Sequence, residues 1–282
     1  MNPTRHALSD GHYALIEPLL PTNARPGHPW KDHRRVIDAI LWILHTGAPW
    51  RDLPRETHGP WQTAYERFSR WTKDGTWGRL IEALHVRLDE AGKIDWGLFC
   101  IDGSSIRASR AAAGASPTDG TSAEPRDHAL GRSRGGYGSK IHMACDANGL
   151  PMAVTVTAGQ RNESTQFEAV MGRVRVPGLA GRPRTRPRKL AGDKGYSYPR
   201  IRRYLRRRGI VAVIPTRKDQ KRIRGFDKVS YRRRNVVERC IGWLKERRRL
   251  ATRFEKLAEN FLAMVKLAML ERLLKALLPD TA

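Results

Sequence analysis

The feature that most limits the fold is a change of hydrophobic period near residue 97. Ahead of it, apolar residues recur at helical spacing. Ser9 precedes Tyr13, Leu15, Ile16, Leu19 and Leu20, a run stopped by Pro21. Asp32 precedes Val36, Ile37, Ile40, Leu41 and Leu44, a run that ends before Gly47. Both openings are helix N-caps by residue type. Pro49, Pro54 and Gly59-Pro60 mark a loop, and two further helices are predicted over 61–71 and 77–90. No strand pattern occurs in this stretch.

After residue 97 the pattern is that of a sheet. Residues 98–102, Leu-Phe-Cys-Ile-Asp, form a short apolar run of the buried-strand kind. Runs at 139–144 and 152–157 flank Asp146-Ala-Asn-Gly149, a hairpin signal. Residues 108–136 are rich in Ala, Gly, Ser, Pro and Arg and read as a mobile loop. A helix over 164–174 with Ser164 as cap, a Pro/Arg linker over 181–189, a strand at 189–192, a basic helix at 197–208 and a strand at 210–214 follow. Helices from about 230 and 257 end the chain. The order is helices, then β-β-β-α-β-α-β-α-α. It predicts an α/β (α+β) chain, with an all-α domain over 1–92 and a mixed sheet flanked by helices over 93–282. That order is also the order of the ribonuclease-H-like fold.

Charge narrows the partner. The formal net charge is +25, and residues 182–253 hold 27 Lys and Arg against five Asp and Glu. Positive charge so localised, and interleaved with apolar runs, points to a polyanion. The three cysteines, Cys100, Cys145 and Cys240, form no CxxC pair, so neither a disulfide framework nor a zinc site is implied. The N-terminus has no apolar signal core, and the apolar stretch 261–278 is broken by Lys266, Glu271, Arg272 and Lys275. A cytoplasmic, nucleoid-associated protein without membrane contact is expected.

Three acids occupy telling places. Asp102 ends the first strand, Asp193 ends a later one in Ala-Gly-Asp-Lys-Gly-Tyr, and Glu238 lies on the late helix. As one helix, 231–245 puts Tyr231, Arg234, Glu238 and Lys245 within an arc of roughly 60°, with Arg249 on the same face. Acids at strand ends face the crevice where α/β sheets bind ligands. Three converging carboxylates would bind Mg²⁺ or Mn²⁺, as two ions roughly 4 Å apart in the two-metal arrangement. Taken singly, Asp102 and Asp193 read equally as turn residues and Glu238 as an ion-pair partner of Arg234 or Lys245. Glu163, Glu168 and Glu246 read as surface helix residues, and Asp119, Glu124 and Asp127 fall in the mobile loop. No HExxH, Walker loop or nucleophile elbow competes. Arg132, Arg134, Lys140 and His142 can contact DNA phosphates. On helix 61–71, Gln62, Arg67 and Arg70 suit a DNA groove, although Tyr65, Phe68 and Trp71 suit a core.

These residues carry a resemblance. The chain resembles bacterial insertion-sequence transposases with a DDE triad, of the insertion sequence five family. Tyr231, Arg234, Glu238 and Lys245 fit that family's Tyr-x2-Arg-x3-Glu-x6-Lys signature. Residues 101–108, 131–136, 142–146 and 191–196 resemble its other motifs, and 41–54 its helical front. The resemblance implies Asp102, Asp193 and Glu238 as the metal-binding triad, and Tyr231, Arg234 and Lys245 at DNA near the cut. It implies cleavage at element ends, joining of 3′-hydroxyls to target DNA, and a homodimer or larger synaptic complex. Asp193 and Glu238 are only 45 positions apart, so no large insertion domain fits between them. The alternatives are a catalytically silent DNA-binding relative and a ribonuclease-H-like nuclease without strand transfer.

Overall fold

The computed structural model describes residues 6–22, 30, 32–113, 128–178 and 181–279. The front of the chain is helical. Helix α1 (Asp10–Ile16) is capped by Ser9, whose side chain accepts from the His12 N–H, and a 3₁₀ turn over Glu17–Leu19 follows. Helix α2 (His33–Thr46) is capped by Asp32 through the Arg34 N–H. It stops at Gly47, which has φ of 71°. A Cβ there would lie 3.0 Å from the Arg248 Cβ, so both the left-handed backbone and the close approach call for glycine. Helices α3 (Arg55–His58), α4 (Trp61–Lys73) and α5 (Thr76–Glu90) complete this part.

Strand β1 (Leu98–Ala108) runs well past Asp102. The apolar run stops there, but the ladder does not: β3 (Gly136–Asp146) pairs with β1 from Phe99↔Asp146 to Arg107↔Gly138. Main-chain bonds therefore hold the polar stretch Asp102–Ser105 extended, and Asp102 lies within a strand instead of at its end. After α6 (Arg110–Ala113), β2 (Gly131–Ser133) pairs back onto the start of β3. The last part of the expected loop at 108–136 is thus a hairpin, while 114–127, with Asp119, Glu124 and Asp127, lies outside the described residues.

Strand β4 (Pro151–Ala158) forms the predicted hairpin with β3. Helix α7 (Glu163–Gly172) begins one residue earlier than expected. Asn162 is its cap, accepting from the Ser164 N–H at 3.0 Å and the Ser164 hydroxyl at 2.8 Å. Strand β5 (Lys189–Ala191), helix α8 (Pro199–Arg207) and strand β6 (Val211–Val213) alternate as predicted. The expected linker before β5 includes a bridge between Val176 and Arg184. The chain closes with α9 (Lys228–Arg232), α10 (Asn235–Lys245), α11 (Arg248–Ala251), β7 (Thr252–Arg253) and α12 (Ala258–Leu277).

The expected single helix over 231–245 is therefore two. The Arg234, Val236 and Val237 N–H groups bond to Tyr231, Arg233 and Arg234 three residues back, at 3.0–3.1 Å. That 3₁₀ tightening separates Tyr231, on α9, from Glu238, on α10.

In the sheet β4, β3, β1, β5 and β6 lie side by side. The β4–β3–β1 pairs are antiparallel and the β1–β5–β6 pairs parallel, with β2 and β7 extending the edges of β3 and β1. This is the ribonuclease-H-like arrangement anticipated from the element order. Strand alternation gives the two faces. Cys100, Asp102, Met143 and Cys145 point toward α10, where Cys240 Sγ meets Met143 Sδ at 3.8 Å. Gly103 and Lys140 point toward α7, where Glu163 lies against both.

Helix α12 joins the helical front to the sheet, packing on α2, α4, α5 and β4, and one hydrophobic core runs through the whole. Its buried Glu271 accepts from His45 Nε2 of α2 at 2.7 Å and from Arg247 Nε at 3.2 Å. Breaking a buried pair strands the remaining charge. Glu271→Ala is expected to lower the unfolding free energy by roughly 3–5 kcal/mol in urea titration. Glu246→Ala, which removes an exposed partner 3.7 Å from the same arginine, is expected to cost less than about 1 kcal/mol.

Candidate active site

The parallel pairing of β1 with β5 aligns Cys100 with Ala191. Two residues further along each chain stand Asp102 and Asp193, so the two acids sit beside one another past the end of β5. Asp193 leaves the strand in extended backbone and caps the turn Lys194–Tyr196, its Oδ1 accepting from the Gly195 N–H at 2.8 Å. Asp102 Oδ1 accepts from the Gly103 N–H at 2.8 Å. Its Oδ2 accepts from Arg234 Nη1 at 3.1 Å.

Arg234 is the hub. It stands at the start of α10, where the tightened turn aims its guanidinium at the sheet, and its Nη2 also donates to Glu238 Oε1. One cation thus bridges Asp102, with a side chain 17% exposed, and Glu238, at 51%. Tyr231 lies close by, with the Arg234 guanidinium 6.0 Å from its ring centroid. Lys245 Nζ donates to the Ser105 carbonyl at 3.3 Å, three residues along β1 from Asp102, and burial lowers its pKa.

Two further residues border the acids without a sequence signal of their own. Glu163, read as a surface residue, lies at the start of α7, and a Cβ on Gly103 would come within 2.7 Å of its Cγ. It pairs with Lys140 at 3.3 Å. Tyr196 is fully buried, its hydroxyl has no hydrogen-bond partner, and its pKa is raised, first by burial and then by Glu163, Asp102 and Asp193. The one sequence hint was Gly103 directly after Asp102, a position where a neighbour can come close.

The electrostatics follow from this crowding. Burial pushes the Asp102 carboxyl up to about 6. The Gly103 N–H and Arg234 oppose the rise, and Glu163 and Asp193 add to it. Among the described residues, no group of three His, Cys, Asp or Glu is close enough together to hold a metal ion. The donor chemistry nevertheless suits a hard cation: the donors are carboxylate oxygens, and a guanidinium already stands between two of them as a positive charge.

Several expected DNA contacts lie elsewhere. Arg249 is buried, because its Nε donates to Glu255 at 2.6 Å and its Nη1 to the carbonyls of Gly47 and Ala48. His142 is fully buried, paired with the Thr157 hydroxyl at 2.8 Å, and burial lowers its pKa to about 4, so it presents no charge to a phosphate. Arg67 is buried with His33 Nδ1 at 2.6 Å and the Trp30 ring at 4.2 Å. On its helix, Gln62 and Arg70 remain exposed, as do Arg132 and Arg134 at the β2 hairpin. Lys140 is half-buried on Glu163.

The sequence matches two family profiles. That described as a transposase DDE domain covers residues 97–270, and that described as a putative transposase of the IS4/5 family covers 8–81. The chain belongs to the DDE transposases of the IS4/5 family. It is 38% identical over 170 residues to a putative transposase for insertion sequence element IS402 of Burkholderia cepacia, covering 60% of this chain and 71% of that one. It is 39% identical over 107 residues to an uncharacterized 16.2 kDa protein of the same insertion element, covering 36% and 73%. A Mos1 transposase paired-end complex with the left transposon end aligns over 86% of this chain and 93% of that one. At 10% identity and a TM-score of 0.24, that likeness is too loose to carry an argument.

The raised pKa of Asp102 has a sign. Between its unfolded value near 3.8 and its folded value of about 6, the native state holds the proton more tightly, so stability falls as pH rises through that window. Asn does not titrate. The stability of Asp102→Asn relative to wild type, measured by thermal melts without added metal, is expected to climb between pH 4 and 6 and level off above.

Proposed function

We propose that this transposase cuts DNA at the ends of its insertion sequence and joins the freed 3′-hydroxyls to target DNA, with Asp102, Asp193 and Glu238 as the acid triad. One observation carries the reading. Parallel pairing sets Asp102 beside Asp193, and Arg234 ties Glu238 to Asp102. That neighbourhood of acids from three separate stretches of chain is what supports the reading, with Arg234 standing between Asp102 and Glu238.

Each residue has a task. The three carboxylates would hold Mg²⁺ or Mn²⁺, which when bound supplies the charge that activates a water or 3′-hydroxyl and steadies the leaving oxygen. Arg234 pairs with both Asp102 and Glu238 in the free chain and offsets one of their two charges. The phosphate at the cut would offer its guanidinium a second partner, and turning toward it would release both acids. Lys245, anchored on the Ser105 carbonyl, and Tyr231 flank the same path. Gly103 lets α7 approach, so Glu163 and Lys140 close one side of the crevice.

The basic stretch 182–253 would hold the DNA backbone. Exposed Lys218, Lys221, Arg222 and Arg224 lie between β6 and α9. Arg217 anchors that segment to the Asp193 turn by donating to the Lys194 carbonyl at 3.2 Å. The helical front, residues 1–92, would read the terminal repeats, with Gln62 and Arg70 on the outer face of α4. Handling two ends together requires a homodimer or larger assembly. The protein would work in the cytoplasm on nucleoid DNA; among the described residues no helix is long and apolar enough to cross a membrane.

In a strand-cleavage assay on element-end DNA with Mg²⁺, Asp102→Asn, Asp193→Asn and Glu238→Gln are each expected to fall to background while binding that DNA about as well as wild type. Normal cleavage by any one would remove that acid from the triad. Affinity for DNA is expected to drop roughly 10³-fold between ~50 and ~200 mM salt, as several phosphate contacts release counterions. A shallow slope would show that the basic stretch is not the DNA face.

A further inference from the structure

Helix α8 carries charge that the fold leaves unanswered. Between residues 169 and 218 stand sixteen Lys and Arg and one acid, Asp193, with no Asn or Gln. Six of those arginines lie on α8 or at its C-cap, and they divide in two. Arg200 reaches the Ser164 carbonyl and Glu168, Arg202 donates to the Ile214 carbonyl at 2.8 Å, and Arg208 to the Thr185 hydroxyl at 2.8 Å. Arg203, Arg206 and Arg207 are exposed and make no hydrogen bond or ion pair with any described residue. At about 100° per residue these three fall within an arc of roughly 100°, opposite the fully buried Ile201 and Leu205.

The stripe has a direction. The chain enters α8 from the Asp193 turn, where Lys194 is exposed, and at the other end Arg208 meets Thr185, which lies ahead of β5. Helix α8 therefore runs from the crevice end of the sheet to the opposite end, and there the arginines continue. Residues 182–188 alternate: Arg182, Arg184, Arg186 and Arg188 are exposed, while Pro183, Thr185 and Pro187 are turned further in. Main-chain bonds hold this row extended, from the Arg184 N–H to the Val176 carbonyl at 2.9 Å and from the Arg188 N–H to the Trp96 carbonyl at 2.7 Å. Arg186 Nη1 donates to the Arg208 carbonyl at 3.2 Å, which ties the row to the end of α8. Two acids reach this surface and both are paired, Asp89 with Arg184 at 2.9 Å and Glu168 with Arg200 at 4.0 Å.

We propose that α8 and the row beyond it form a track for the duplex DNA outside the insertion sequence, with Arg203, Arg206, Arg207, Arg186 and Arg188 on its phosphates. The proposal rests on the reading that this chain cuts DNA at element ends. The track starts beside Asp193, so a duplex lying on it leads away from the cut. The nine residues of α8 cover about 14 Å at helical rise, about four steps of a duplex strand, and 186–188 adds about two more. An element's ends have one sequence, and telling it from others takes contacts to base edges. The DNA beyond the cut can have any sequence, and is held through what every duplex shares, its phosphates. A face of arginines without Asn or Gln suits that second task. A single strand fits less well, because Tyr204, the one aromatic of α8, stands edge-on to Phe167 at 5.6 Å and not on the stripe. An acidic protein also fits less well, because the apolar Ile201 and Leu205 are buried and this side of the helix offers no apolar contact.

The test is equilibrium binding of the full chain, titrated between ~50 and ~200 mM salt, to duplexes of the element end that carry either no DNA outside the element or about eight base pairs of it, in two unrelated sequences. For wild type the outer DNA is expected to steepen the slope of log affinity against log salt by about 4.5, five phosphates at about 0.9 each, and equally for both sequences. The triple variant Arg203→Gln, Arg206→Gln, Arg207→Gln is expected to lose about 2.7 of that steepening and to bind the duplex without outer DNA as wild type does. Glutamine keeps helix propensity and the three side chains have no partner to lose, so its thermal melt is expected to match wild type. Lysine at the same three positions is expected to restore the slope, because a phosphate takes either cation. No steepening in wild type, steepening that the glutamine variant keeps in full, or steepening with only one of the two outer sequences would overturn the track while leaving DNA as the substrate. A glutamine variant that loses the same slope on the duplex without outer DNA would place α8 on the element itself and overturn the assignment. Failure to bind any of the duplexes would overturn the DNA reading, and the track with it.

Discussion

The ladder between β1 and β3, with β5 parallel on the other side of β1, is the constraint on which the remaining geometry depends. A strand with Asp-Gly-Ser-Ser at its centre has little apolar surface of its own to hold it straight. Pairing with β3 from Phe99 to Arg107 supplies main-chain bonds on one edge, and β5 supplies them for Leu98–Cys100 on the other. Because side chains alternate along a strand, the same register sends Asp102 toward α10 and Gly103 toward α7. A slip of one residue would exchange them. The acid would then face Glu163, and the glycine would face Arg234.

That geometry creates an electrostatic problem which the chain solves with its own arginine. Asp102 is withdrawn from water and borders two more carboxylates, so its charged form is disfavoured, while Glu238 is half in solvent. Arg234 is shared between them. Its own guanidinium gains from both, Asp102 and Glu238 together outweighing the penalty of its burial. The shared guanidinium partly offsets the burial of Asp102 and holds the two carboxylates near one another without a covalent lock.

How much of this was legible depends on how local its causes are. The caps at Ser9 and Asp32, the stop at Gly47 and the hairpin at Asp146–Gly149 are decided within a few residues, and the chain reads correctly there. Asp102 was recognisable, but its place inside a long strand was not, because the ladder that extends β1 comes from a segment some forty residues away. The split between α9 and α10 depends on three hydrogen bonds tightening by one residue, a change that leaves the apolar pattern of Val237, Ile241 and Leu244 intact. Arg249, His142 and Arg67 look like free cations in sequence. Each is buried by a partner the pattern cannot name: Glu255 and the α2 C-terminus, Thr157 across a hairpin, His33 at the start of α2 and Trp30 ahead of it. Glu163 failed in the opposite direction, a surface residue by pattern that the missing side chain of Gly103 admits to the crevice.

The burial of these arginines also ties the two ends of the chain together. Arg247 reaches Glu271 on α12, and Glu271 reaches His45 on α2. Arg249, two residues further, binds carbonyls just past the end of α2, where Gly47 leaves room for Arg248 to pack. The short segment between α10 and β7 is therefore clamped to the helical front by buried arginines, Arg249 through main-chain carbonyls and Arg247 through Glu271 to His45. Such pairs strongly resist the loss of one partner, even where they add little net stability as a pair. Helix α10, which carries Glu238, runs directly into that clamp. The helical front and Glu238 are thus joined through buried side chains, so a displacement of α2 would be carried to α10 by packing.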